Sequence, residues 1–357
     1  MTLPELVESL VAIPSHDDPT AAGDFIEDWL RTETDATIGR DAVGNVLARR
    51  GNRPDALALV GHHDVVPPTP DQVSQGGYVT EQRGGRIYGR GSADMKGSLA
   101  AAMRAFRDAE PAMGLTFASL VDEEVGGRGA DHAIEQGFVP DAAVILEGST
   151  GYSADGVVDV AIAHNGRRES RLIASGSSAH ASEPAAGENA IYRACSAIEQ
   201  LRTFEWPTTM VAEEHMRGSV VATKIEGGDR ANVIPDRCTV WVDERTVPDG
   251  RVPIETLAEL EGITVEIDQD LPPMRCRDAM FAGEALAVAD ACQPARPRHV
   301  TKPHATDGGR LDRAGTACVV IGGAEPGEAH TDDESVSIDV LERCERIYRD
   351  LAARWNA

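Results

Sequence analysis

Four short apolar runs, at residues 44–48, 56–60, 116–121 and 142–146, alternate with stretches whose apolar residues recur at helical spacing, at 3–12, 21–32, 96–107 and 128–136. Apolar runs without polar alternation read as strands covered on both faces, and helical crossovers are what supply that cover. The alternation predicts an α/β domain with a mixed, mostly parallel sheet and helices on both sides. From about Arg168 the order changes to strand 172–174, helix 189–201, strands 220–226 and 238–243, helix 254–260 and strand 264–267. That βαββαβ order predicts a ferredoxin-like α+β unit inserted into the first domain. The expected domains are therefore 1–167 with 272–357, closing on a strand at 317–321 and a helix at 338–355, and an insert at 168–271.

Charge narrows the function. The 357 residues carry 59 acidic against 34 basic side chains, a formal charge of −25, which opposes a phosphate-binding surface and so a nucleic-acid partner. No apolar run approaches the ~20 residues of a membrane helix, and the first residues lack the basic-then-apolar order of a secretory signal. A cytoplasmic protein with no membrane partner is expected. Six cysteines, with no Cys-x-x-Cys pair, read as buried reduced thiols. Of the 34 basic residues only Lys96, Lys224 and Lys302 are lysines, and the acidity is dispersed along the chain. This suits a halophilic protein, whose self-repulsion concentrated salt would screen, with an ordinary acidic protein of GC-rich coding as the alternative.

Several apolar runs end in polar groups. In Leu57–Pro67 the alternation of an extended chain puts His62 and Asp64 on one face and His63 on the other, so that a carboxylate stands beside an imidazole. Two histidines closing a strand by hydrogen bonding is the plainer reading of that segment alone. Gly89–Leu99 puts Asp94 on a glycine-rich turn before a helix, where it could equally be an N-cap. Leu120–Gly127 follows a strand with Asp122, Glu123 and Glu124, either a solvated acidic loop or carboxylates projecting in different directions. Glu147 ends the 142–146 run, and His330 lies in a loop after 317–321. Together His62, Asp94, Glu124, Glu147 and His330 form an N/O donor set suited to zinc, cobalt or manganese, and a shared carboxylate would let it hold two ions.

The Gly61–Pro67 run, the Gly89–Ser98 run and three further motifs in the same order resemble the M20 metallopeptidase family over nearly the whole chain. The resemblance implies that His62 and Glu147 bind one ion, Glu124 and His330 the other, and Asp94 bridges them. Asp64 would orient His62, Glu123 would be the general base, and a cis peptide would follow Asp94. Within Gly176–Pro184, His180 resembles a family histidine that reaches the partner subunit's site to stabilise an oxyanion. Asn232 and Arg245 are similar to lid residues that hold a substrate carboxylate, an exposed ion pair being the plainer reading of Arg245.

The 168–271 insert would then be a lid and homodimerisation domain. Where relatives read Gly-Thr-Asp-Ala-Arg or Gly-Thr-Ser-Asp-Gly-Arg, this chain has Ala305-Thr306-Asp307-Gly308-Gly309-Arg310, so the usual glycine is Ala305 and the arginine is displaced by one. Thr306 is the residue of this segment expected to touch substrate. The implied reaction is amide hydrolysis of an N-acyl amino acid by two zinc, cobalt or manganese ions. The favoured substrate is N-succinyl-LL-2,6-diaminopimelate, because the motifs look most like the desuccinylase branch. Acetylornithine or acetyllysine deacetylation and dipeptide or carboxypeptidase cleavage are the alternatives. A non-catalytic amino-acid-binding protein would lack a ligand or the base, and none is missing. His16, His132, His164, His215 and His299 fit no motif and read as surface or structural.

Overall fold

The computed structural model describes residues 1–356 and separates into two compact units. The first comprises Met1–Ala163, Met274–Lys302 and the chain from Thr306; the second is His164–Pro273 with Pro303–Ala305.

The first unit is built on a nine-stranded mixed sheet. Its centre is parallel, in the order Gly114–Leu120, Ala58–His62, Ala142–Ile145 and Ala317–Val320. Antiparallel strands flank it, Val46–Gly51 and Thr37–Arg40 on one side and Val160–His164 on the other. Every residue of Ala58–His62 and of Gly114–Leu120 is buried, as central strands covered on both faces require. Ala58 and Val60 pack with Ala118, Ala130 and Leu311 on the face of helices Arg128–Glu135 and Gly308–Ala314. Gly61 faces Gly97–Asp108, and a Cβ there would sit 2.6 Å from Met95 Cε and 3.2 Å from Leu99 Cδ1. Glycine at 61 is thus what lets the chain beside Asp94 approach the strand end.

The second unit is a four-stranded antiparallel sheet in the order Ser219–Gly227, Arg237–Thr246, Gly166–Ser175 and Ile263–Leu271. Helix Ala190–Leu201 covers it with Ala190, Ala194, Ala197 and Leu201. Numbered within the unit, the strand order 2-3-1-4 is the ferredoxin-like arrangement. Two details depart from the expectation. The segment expected as a helix at 254–260 is a 3-10 helix, Ile254–Glu259, set between Pro253 and the strand that begins at Ile263. A hairpin, Thr208–Val211 with Glu214–Arg217, precedes the second strand. Of the six thiols expected to be buried, Cys238, Cys318 and Cys344 are; Cys276 and Cys292 are partly exposed, and Cys195 is exposed because it lies off the Ala190, Ala194, Ala197 stripe that meets the sheet. No helix among the described residues is long and apolar enough to cross a membrane.

Candidate metal centre

The carboxyl ends of the central strands carry the chemistry, where open α/β sheets place their sites. His62 is the last residue of its strand and is 1% exposed, its N–H donating to Met95 Sδ at 3.4 Å. Its Nδ1 lies 2.9 Å from the backbone carbonyl of Asp64 and 3.6 Å from that residue's carboxylate. The carbonyl therefore accepts a hydrogen bond from Nδ1–H, which fixes the ring with Nε2 facing the cluster. Asp64 instead accepts the Glu124 N–H at 3.1 Å, tying two strand ends together.

Asp94 sits between two sets of donors. Its Oδ1 is 3.2 Å from His62 Nε2, and its Oδ2 is 3.1 Å from His330 Nε2. Glu147 Oε1 completes the first set at 3.4 Å from His62 Nε2, and Glu124 Oε1 the second at 3.1 Å from His330 Nε2. His62, Asp94 and Glu147 form one group that could hold an ion, and Asp94, Glu124 and His330 another. The Asp94–Met95 peptide is cis. The backbone N–H groups of Ala93 and Asp94 both donate to Glu334 Oε1, at 3.0 and 3.1 Å, while the other oxygen of Glu334 pairs with buried Arg90.

Charge is concentrated accordingly. Burial disfavours a charged His62, but hydrogen bonds to Asp94 and Glu147 outweigh it and raise its pKa well above the usual value. Asp94 and Glu124 lift His330 to about 10. Burial raises Glu123 well above the carboxylate range, reinforced by Glu147, Asp307 and Glu124. This is how carboxylates crowd when cations are what they are built to meet.

A match to peptidase family M20/M25/M40 spans residues 58–354, the stretch that holds all five donors. The chain belongs to this family. Among M20 relatives it is 28% identical to succinyl-diaminopimelate desuccinylase of Bordetella petrii, over 88% of this chain and 86% of that one. It is also 28% identical to acetylornithine deacetylase of Myxococcus xanthus, over 90% and 86%. Its fold is similar to that of a dinuclear metal-binding M20 peptidase from Bacillus subtilis, with a TM-score of 0.70, 17% identity and coverage of 98% and 96%.

Not every residue expected at an M20 site lies among these donors. His180, Asn232 and Arg245 belong to the second unit. His180 is exposed with Nδ1 2.6 Å from Ser182 Oγ, Asn232 is exposed, and Arg245 pairs with Asp243 at 2.8 Å. Thr306 is buried, its hydroxyl accepting the Gly308 N–H at 3.1 Å. Of the unassigned histidines, His16 contacts Tyr78 Oη at 2.7 Å, His164 is buried beside the Asn165 carbonyl at 2.8 Å, and His299 meets the Ala282 carbonyl at 2.9 Å. His132 lies 3.9 Å from Asp41, and His215 is exposed.

The sequence reading missed five residues that surround the centre: Arg90 and Glu334, Lys302 with Nζ 3.7 Å from Glu147 Oε2, Asp307 and Arg310. The Arg310 guanidinium turns into the acidic turn, donating to the Gly126 carbonyl and pairing with Asp131. A Cβ on Gly127, whose φ is +74°, would collide with it. Arg90, Asp307 and Arg310 lie inside segments already singled out and Glu334 four residues after His330, where the ligand-type residues drew the attention.

Proposed function

We propose that this M20 chain is a dinuclear metal-dependent amidohydrolase that cleaves an N-acyl amino acid, with N-succinyl-LL-2,6-diaminopimelate as the favoured substrate. One observation carries it: the two oxygens of Asp94 face two separate imidazoles, each with its own further carboxylate. The donors fit divalent ions. His62 presents Nε2 to the cluster, and three carboxylates converge with two imidazoles where Lys302 is the one ammonium recorded beside them.

His62, Asp94 and Glu147 would hold one ion and Asp94, Glu124 and His330 the other. Such ions, zinc first and cobalt or manganese next, supply a Lewis acid for the amide carbonyl and lower the pKa of water. Asp64 positions His62 through its carbonyl and the Glu124 turn through its carboxylate. Glu123 takes the proton of the attacking water and returns it to the departing amine, a role for which a carboxyl raised toward neutrality is suited. Arg310 and Gly127 keep that turn in place.

In the same reading the second unit serves as lid and homodimer contact. His180 donates to the oxyanion of the partner subunit's substrate, while Asn232, Arg245 and Thr306 hold its carboxylate. The protein works in the cytoplasm and tolerates concentrated salt. Deacetylation of acetylornithine or acetyllysine is the second reading, supported by a deacetylase relative equal in identity to the desuccinylase.

Turnover in concentrated KCl with zinc or cobalt tests the proposal, on N-succinyl-diaminopimelate, N-acetylornithine, N-acetyllysine and small dipeptides. Preference for one acylated amino acid by about tenfold or more assigns the substrate, since ~1.4 kcal/mol of transition-state binding is enough to give it. No cleavage by protein holding two ions per chain overturns the deacylase reading.

A further inference from the structure

Thr69-Pro70-Asp71-Gln72 has the Ser/Thr-x-x-Glu/Gln pattern in which the fourth side chain reaches back to the first backbone N–H. It does so here: the Thr69 N–H donates to Gln72 Oε1 at 3.0 Å, across the 3-10 turn Pro70–Gln72. That bond would use a glutamate's side chain for the turn alone, but a glutamine keeps an NH2 group whose two donors are then already aimed. Gln72 is only 6% exposed. Its Nε2 gives both donors to a segment about 260 residues further along the chain, to the carbonyls of Thr331 and Asp332, each at 3.1 Å.

Those carbonyls directly follow His330. Other residues of the same stretch hold the loop further out: Arg86 pairs with Glu328 and donates from Nε to Ser335 Oγ at 3.0 Å, and strand Arg86–Tyr88 pairs antiparallel with Ser335–Ser337. Residues 69–88 contribute to neither ligand group, yet they grip the loop on both sides of the imidazole. His330 depends on that grip. Its φ of 63° lies in a region that residues bearing a Cβ enter only when their surroundings hold them there, and its half-exposed side chain is not fixed by packing. Arg86 and the strand pair fix the ends of the loop. Of the recorded bonds, those from Gln72 are the ones made to the carbonyls next to the ligand.

We propose that Gln72 is a positioning residue for the second ion: by holding the Thr331 and Asp332 carbonyls it places His330 Nε2 opposite Asp94 and Glu124. The affinity of that half of the centre is thus set by a buried amide that touches neither the ion nor its ligands. This rests on the dinuclear reading and deepens it.

Chelator titration of zinc-loaded protein, with bound ions counted per chain, reads the two halves separately, and His330→Ala identifies the ion in question. Gln72→Met keeps the length of the side chain and removes the amide. Gln72→Glu keeps the acceptor for the Thr69 N–H and replaces the two donors. Each should weaken the ion that His330→Ala removes by about tenfold or more, as loss of a group that orients a metal ligand does, and leave the other within about threefold. Excess zinc should restore the second ion, because every ligand is still present. Phe281→Leu, which truncates the buried ring packed on Trp355, supplies a loss of stability away from the loop and should shift neither ion. In metal-free protein, amide hydrogen exchange over residues 328–334 should quicken in both Gln72 variants while residues 58–62 exchange as in wild type.

Equal weakening of both ions in the Gln72 variants, a second ion indifferent to them, the same selective loss in Phe281→Leu, or unchanged exchange in the loop overturns the proposal. Wild-type protein that saturates at one ion per chain overturns the dinuclear reading itself, and this proposal with it.

Discussion

The two halves of the metal cluster use the same donors in different surroundings. His62 ends a central strand, is 1% exposed, and is fixed through Nδ1 by a backbone carbonyl. His330 is 49% exposed, lies in a loop at φ 63°, and has its recorded contacts through Nε2 alone, with Asp94 and Glu124. Its loop is tethered one and two residues on, where Gln72 Nε2 donates to the carbonyls of Thr331 and Asp332, both at 3.1 Å. A ligand built into the sheet is positioned before any cation arrives, whereas one on a loop is positioned largely by what it ligates. The first half should therefore bind its ion tightly and the second exchange it.

The largest effect belongs to the group that joins the halves. Asp94→Asn should lose both ions and all measurable turnover, by metal analysis and assay; retention of both ions would break the bridge. Glu123→Gln should keep both ions and lower kcat by on the order of 10²–10⁴-fold, and loss of metal in that variant would move Glu123 from base to ligand.

Glu334→Ala removes the anchor of the Ala93 and Asp94 N–H groups and leaves Arg90 buried alone. It should cost about 3–5 kcal/mol of stability in denaturant unfolding, weakening both halves together. Separate truncations sharpen the contrast. His330→Ala should leave about one tightly held ion and His62→Ala should disturb both, read by chelator titration; the reverse order would break the comparison.

The smallest effect is a proton count. In the metal-free chain Asp94 and Glu124 raise His330 to about 10 and His62 is raised well above its usual value, so both are protonated at neutral pH. Ligation requires their neutral forms, so loading at pH 7 should release about one proton for each imidazole, read by calorimetry in buffers of different ionisation enthalpy. Without metal, the stabilisation from protonated His330 is full below its unfolded value near 6.5 and is lost as the pH rises through about 10.

Much of this was legible in the chain. Apolar runs without alternation marked the parallel centre of the sheet, because burial on both faces leaves that signature at 56–60 and 116–121. The flanking strands Thr37–Arg40 and Val160–His164 escaped, the first because its residues are half-exposed and carry no apolar run. The five donors stood out because each follows a strand or glycine-rich turn. Glu334 and Arg90 did not, since a buried pair formed across some 240 residues has no local pattern. The Asp64 carboxylate was expected on His62. Its backbone carbonyl is closer, because the chain turns at the strand end and brings that oxygen to Nδ1 first.

Stepwise removal of metal from the zinc-loaded wild-type chain, with bound ions counted against free chelator, tests the two-half account most directly. Two ions per chain leaving in two separated steps, the weaker step vanishing in His330→Ala and both in Asp94→Asn, is the predicted result. A single ion per chain, or two that leave together and are indifferent to Asp94, would contradict it.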